Sequence, residues 1–245
     1  MLTNQRLFTK SEVVDYYLDT AWQKIIFREM EAMLLSESRP FPCLFGVSGF
    51  KSNQLRFAFF DELSPNALSS ALKNYLECAR DFGQNTSLVV FERPSTILNL
   101  IDYNEKFWSL LKNVVENDDS PWPENIPQEL DSRDWEFCFN GEPIFVVCNT
   151  PAHVLRQSRR ASTFTLTFQP RWVFENILAT EKAAQAAFSI VSERLRPYDM
   201  VDKSPVLGRY GDVNTKEWKQ YFLDDLNMEP RCPFHTLTKN KVKDK

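Results

Sequence analysis

Glycine is scarce in this chain, with six residues in 245. Loops that wrap backbone around a phosphate need glycine for close approach, and no GxGxxG, Walker A or GxSxG pattern occurs. Nucleotide sites of those kinds and the serine-hydrolase elbow are thereby excluded. Histidine is scarcer still, at two, too few for a lone zinc or non-haem iron ion that needs three or four protein ligands. Five cysteines are an odd number without a CxxC pair, which argues against a disulfide framework and a structural zinc site; they are expected to be reduced. No apolar run approaches eighteen residues, and "MLTNQRLFTKSEVVDYYLDTAW" lacks the basic start and apolar stretch of a signal peptide. A soluble, cytoplasmic protein without a membrane partner is expected. The net charge of -4, with no long Lys/Arg run before the last ten residues, supplies no basic field, so nucleic acid is not an expected partner.

What is present is apolar and aromatic: 43% of the residues are hydrophobic, enough for one sizeable core. A single domain over 1–236 is expected, followed by a polar, lysine-rich, disordered tail over 237–245. From Ser11 to about Leu35 apolar residues recur at three- and four-residue steps, predicting one long helix. "CLFGVSGF" and "LRFAFF" read as two strands around the turn "KSNQ". "SPNALSSALKNYLECARDF" reads as a helix and "SLVVFE" as a buried strand. A helix follows over roughly Ile97 to Val115, then a proline-rich loop. "WEFCFNGEPIFVVCNT" predicts a hairpin at Asn140-Gly141, and "STFTLTFQP" alternates as a half-buried strand should. Trp172 to Leu195 reads as largely helical, stopped by Pro197. At least two hairpins among interleaved helices exclude an all-parallel doubly wound sheet; the expected class is α+β, with a mixed, largely antiparallel sheet flanked by helices.

One stretch carries chemistry. In "CNTPAHVLRQSRR", Thr150-Pro151 has the residues of a helix start, which puts His153 in a first turn where a neutral imidazole is favoured. On such a helix Arg156, Arg159 and Arg160 would lie about 4.5, 9 and 10.5 Å further along the axis. For haem one histidine suffices as axial ligand, the two propionates want guanidinium partners, and this spacing is about the reach from iron to haem edge. The residues are equally compatible with a histidine hydrogen-bonded within its own turn and a solvated arginine face.

Seven ordered segments resemble the YqcI/YcgG family: "PFPC" at Pro40–Cys43, "RFAFF" at Arg56–Phe60, "WEFCFNGEPIFVVCNTPAHVLRQSR" at Trp135–Arg159, "FTLTFQPRWVFE" at Phe164–Glu175, "LGRYGD" at Leu207–Asp212, "EWKQYFLDD" at Glu217–Asp225 and "CPF" at Cys232–Phe234. Characterised proteins of this family are haem-dependent oxygenases that hydroxylate guanidine groups of arginine and its derivatives or oxidise the side-chain amine of lysine. The resemblance implies a haem b monooxygenase that N-hydroxylates an amine or guanidine small molecule with O₂ or peroxide. It further implies His153 as axial ligand and metal residue. Arg156 and Arg159 are implied as propionate partners ahead of a third contact such as Arg160, because position 157 is Gln where the family favours a basic residue.

Other matched residues stand open in both directions. Cys43, flanked by Phe41, Pro42 and Leu44, is either a thiolate ligand in a cofactor wall or a buried, inert thiol. Arg171, between aromatics, belongs either to a porphyrin wall or to a strand-to-helix corner. His235 is a second candidate ligand, Arg56 a candidate for a substrate carboxylate, and Trp135 and Trp218 read as core. No flavin or nicotinamide fingerprint is present, so electrons would come from an external reductase or peroxide. A haem-binding sensor or carrier without turnover, and a haem-free small-molecule-binding domain, are the alternatives.

Overall fold

Two largely apolar runs, Leu55–Phe60 (β1) and Ser87–Glu92 (β2), each with one charged residue near an end, are buried along almost their whole length and pair in parallel. The computed structural model describes residues 6–177, 180–209 and 215–230. Phe137–Phe139 (β3), Glu142–Asn149 (β4) and Thr165–Pro170 (β5) complete a five-stranded sheet of order β1-β2-β5-β4-β3, in which every pair after the first is antiparallel. The protein is a single-domain α+β fold with a mixed sheet. The hairpin falls at Asn140-Gly141, where both residues take positive φ (52° and 75°), the conformation a two-residue hairpin requires.

Helices Pro65–Phe82 (α4) and Leu100–Glu116 (α5) cover one face of the sheet. Their apolar stripes meet the phase of the strands that carries Ala58, Leu88, Val90, Val146, Leu166 and Phe168, and this is the main core. Trp135 and Trp218 belong to it, as read from the sequence. The opposite face bears Lys10–Tyr16 (α1), Trp22–Leu35 (α2) and Leu44–Lys51 (α3) toward the β1 side, and Arg171–Ile177 (α6) and Glu181–Tyr198 (α7) toward β4 and β5. Among the described residues no helix is long and apolar enough to cross a membrane.

Three local expectations are corrected. The opening helix is two helices: Thr9 and Glu12 form a reciprocal capping box at α1, and the chain leaves helical geometry after Tyr16, with Leu18 exposed. "CLFGVSGF" is the helix α3 and not a strand, so the hairpin expected there is absent. Local capping decides the difference: Cys43 is extended and its sulfur accepts the Gly46 N–H, which starts a helix where alternation alone suggested β. Pro197 lies within the last turn of α7, which runs on to Tyr198.

The α3 helix is held close to the segment before β2 by Gly49. A Cβ there would lie 2.2 Å from the Asn85 carbonyl oxygen, a backbone atom that cannot swing aside. Gly49→Ala is therefore expected to cost roughly 1–3 kcal/mol, the usual range for overpacking, read as a lower urea midpoint at unchanged slope.

Candidate functional site

The segment Thr150–Arg160 does not form the predicted helix. It is a closed turn: Thr150 bridges to Arg160, the Thr150 N–H donates to the Arg159 carbonyl at 3.0 Å, and only Gln157–Arg159 make a short 3-10 turn. The physical reason lies seventy residues away. The Asp225 carboxylate accepts three successive backbone N–H groups, Val154 at 2.7 Å, Leu155 at 2.9 Å and Arg156 at 2.9 Å. A backbone nest around an anion replaces the helical turn. Burial pushes the Asp225 carboxyl up, but those three donors together pull it below its ordinary value.

His153 is fully buried inside this turn. Its Nε2 lies 2.7 Å from the Leu223 carbonyl, which can only accept, so Nε2 carries the proton and Nδ1 takes the Thr150 hydroxyl at 2.9 Å. Burial lowers its pKa, so the ring is neutral. Both ring nitrogens are engaged, and the side chain pins the turn to Leu223. Arg156 is also buried, with Nε on the Asp224 carbonyl at 2.7 Å and Nη1 3.7 Å from Asp199. Neither residue lines the large cavity described next; the axial spacing expected between His153 and the three arginines vanishes with the helix.

That cavity, of about 660 Å³, lies between the second sheet face and the helices α2, α6 and α7. Its volume is that of a site for a sizeable organic ligand. Phe41, Pro42, Cys43, Arg159, Arg160 and Arg171 all line it, six of the eight cofactor positions expected from the sequence. Its floor is the polar phase of β5, Thr165, Thr167 and Gln169, whose alternate residues Leu166 and Phe168 face the core. His235 and Cys232 lie outside the described residues. Arg56 is elsewhere, its guanidinium 3.8 Å above the Phe82 ring.

The cavity wall carries several arginines, and one of them is buried. Arg159 is 8% exposed, and its guanidinium donates to two carbonyls, Gln220 at 3.0 Å and Tyr221 at 3.4 Å, with no carboxylate in contact among the described residues. Burial, then the Arg156 charge, brings its pKa down to about 10. A buried cation without a counter-ion is costly, and an anionic ligand is what would relieve it. Arg160 donates to the His153 carbonyl at 2.9 Å and remains partly solvated. Arg39 and Arg209 add guanidiniums to the lining, the first donating to the Tyr198 carbonyl and the second paired with Glu181.

Arg171 is different. It is sandwiched between Glu136, at 2.6 Å, and Glu217, whose other oxygen accepts the Tyr221 hydroxyl at 3.1 Å. Two buried carboxylates share one guanidinium, and burial, opposed by Arg171, pushes Glu217 up to about 8. The corner reading of Arg171 and its position in the cavity wall are both true. Glu217, Glu136, Gln169, Arg39 and Asp225 were missed from sequence. Only Gln169 left a signal there, as a member of the polar phase of "TLTFQP"; that phase faces the cavity, with Thr165 and Gln169 buried.

The site can hold a flat anionic group: arginines for carboxylates, apolar walls such as Met33, Phe188 and Val191, and one thiol, Cys43, in the lining. Among the described residues no cluster of three or more His, Cys, Asp or Glu side chains is placed to hold a metal ion by protein ligands alone.

Similarity to known proteins covers nearly the whole chain. It is 41% identical to YqcI and 38% identical to YcgG, two uncharacterised proteins of Bacillus subtilis (strain 168), over 91% of this chain and 91–92% of theirs. A protein of Streptomyces lavendulae provisionally named as an N(omega)-hydroxy-L-arginine synthase, DcsA, is 28% identical over 94% of this chain and 90% of its own length. No solved structure matches. The model of the YqcI/YcgG family matches residues 30–235, which include the whole described cavity wall except Ile26 and Glu29. The chain belongs to the YqcI/YcgG family.

Proposed function

We propose that this protein is an enzyme that N-hydroxylates the guanidine nitrogen of an arginine-like small molecule, with haem b bound in the 660 Å³ cavity. The observation that supports the haem part is Arg159, a buried guanidinium on an apolar cavity wall with no carboxylate in contact among the described residues. The name carried by the Streptomyces lavendulae relative supports the reaction and the substrate class.

In this reading Arg159 takes a haem propionate, with Arg160 or Arg39 as second partner, and Phe41 and Pro42 form part of the wall against the ring. Haem, when bound, supplies the activation of O₂. The protein's own residues do the rest. Glu29 and Glu175, exposed carboxylates in the lining, meet the cationic guanidine as it enters. Gln169 offers a donor from the floor, and Glu217 holds a proton near neutral pH within reach of the Arg171 guanidinium. Insertion of one oxygen atom into an N–H bond releases the other as water and consumes two electrons and two protons. Those electrons come from an external reductase, or the oxidant is peroxide, which brings the oxygen already reduced.

Protein produced with a haem precursor is expected to turn L-arginine, with a reductase or peroxide, into a product heavier by one oxygen atom, detected by mass spectrometry. Tight haem binding with no product from arginine or lysine would make it a carrier or sensor, and colourless protein would remove haem from the reading.

A further inference from the structure

Of the four described cysteines, Cys138 and Cys148 are buried in strands and Cys78 is exposed on α4. Cys43 alone among them lines the cavity. It occupies the N-cap of α3, with its sulfur accepting the Gly46 N–H at 3.4 Å. Capping does not explain a cysteine here, since Ser, Asp and Asn are the strong N-caps and a thiol is a poor acceptor. Gly46 lines the cavity beside it, and a Cβ there would lie 3.5 Å from the sulfur, so glycine leaves that side of Cys43 uncovered.

Two further observations point to a ligand in the same cavity. Gln169 is 7% exposed and lines the floor, yet its amide nitrogen has no hydrogen-bond partner among the described residues. A buried donor facing a cavity implies an acceptor that enters it. Arg159 is the second, a buried cation in the same cavity wall; burial pushes the Cys43 thiol up, and the Gly46 and Phe45 N–H groups and the Arg159 charge oppose that rise. By contrast, His153 already uses both ring nitrogens, and an iron bond from it would leave the Leu223 carbonyl or the Thr150 hydroxyl unpaired in the interior.

Resting on the haem reading above, we propose that Cys43, and not His153, is the axial ligand of the iron. Ligation forms one S–Fe bond and releases the thiol proton. The N–H groups at the start of α3 and the Arg159 charge then stabilise the bound thiolate. Thiolate ligation pushes electron density onto the iron and favours O–O cleavage, which suits an oxygenase better than histidine ligation of the globin type.

The test is the ferrous-CO absorption spectrum of the full-length protein, compared for wild type, Cys43→Ser, Cys43→His and His153→Gln, with circular dichroism to verify folding. Serine preserves the cap, so Cys43→Ser is expected to fold. The expected result is a thiolate-type, red-shifted ferrous-CO band in wild type and in folded His153→Gln, lost in Cys43→Ser and converted to a histidine-type band in Cys43→His. A histidine-type band in wild type that persists in Cys43→Ser overturns the proposal while haem binding stands. A thiolate-type band unaltered in Cys43→Ser also overturns it and moves the ligand to another cysteine. Absence of any Soret band in wild type defeats the haem reading itself.

Discussion

Arg171→Leu is expected to lower the free energy of unfolding by about 3–5 kcal/mol, the cost of leaving buried charge without its partner. Glu136 is fully buried and Glu217 is 2% exposed, and both contact the guanidinium of Arg171. Without it, each carboxylate must be protonated or repel the other. With Arg171 in place, burial, opposed by the Arg171 charge and reinforced by Glu136, still raises Glu217 to about 8. The unfolded chain titrates such a group near about 4.3. Between those values the folded state holds a proton that the unfolded state has released, so this stabilisation is complete below the lower value and is lost as pH rises through the upper one. Wild type is therefore expected to have a lower urea midpoint at pH 9 than at pH 6. Glu217→Gln, an isostere of the protonated acid, is expected to flatten that decline. An equally steep decline in the variant would mean that another group titrates. His153 works on the other limb: its pKa is lowered, so its contribution is present above about 6.5 and is lost as pH falls.

Asp225→Ala is the second large effect, again about 3–5 kcal/mol. Three N–H groups, of Val154, Leu155 and Arg156, lose one acceptor. Hydrogen bonds to a charged group are worth about 1.5–3 kcal/mol each, but water can re-solvate the partly exposed donors, so the full sum is not expected. Hydrogen exchange should localise the loss: the amides of residues 154–156 are expected to exchange much faster than those of β4 and β5. A folded Asp225→Ala protein with unchanged exchange at these amides would show that the nest is not held by the carboxylate.

These two predictions concern residues that sequence reading did not connect, and the reason is physical. Glu136, Arg171 and Glu217 are spread over 82 positions and meet only because β3, the β5–α6 corner and the segment at 217–220 converge. No local pattern encodes that. Short-range signals fared better. Asn140-Gly141 specified a hairpin by its φ preferences, and "TLTFQP" specified a strand by its alternation. The helical stripes of α4 and α5 were equally legible, since each packs on one continuous core. Thr150-Pro151 failed because helix-start residues also suit a turn, and a carboxylate far along the chain chose between the two. Of the eight positions expected to touch a cofactor, six line one cavity, whereas His153 and Arg156 lie outside its lining and secure the loop that carries Arg159.

The strand β5 writes two messages on one thread. Leu166 and Phe168 are read by the core, while Thr165, Thr167 and Gln169 are read by whatever occupies the cavity. Exchanges among the second set leave the first untouched, since successive side chains of a strand point to opposite faces. A lineage can therefore retune its choice of small molecule at these three positions without renegotiating the fold. Divergence between relatives should then concentrate its chemical meaning in every second residue of one short strand.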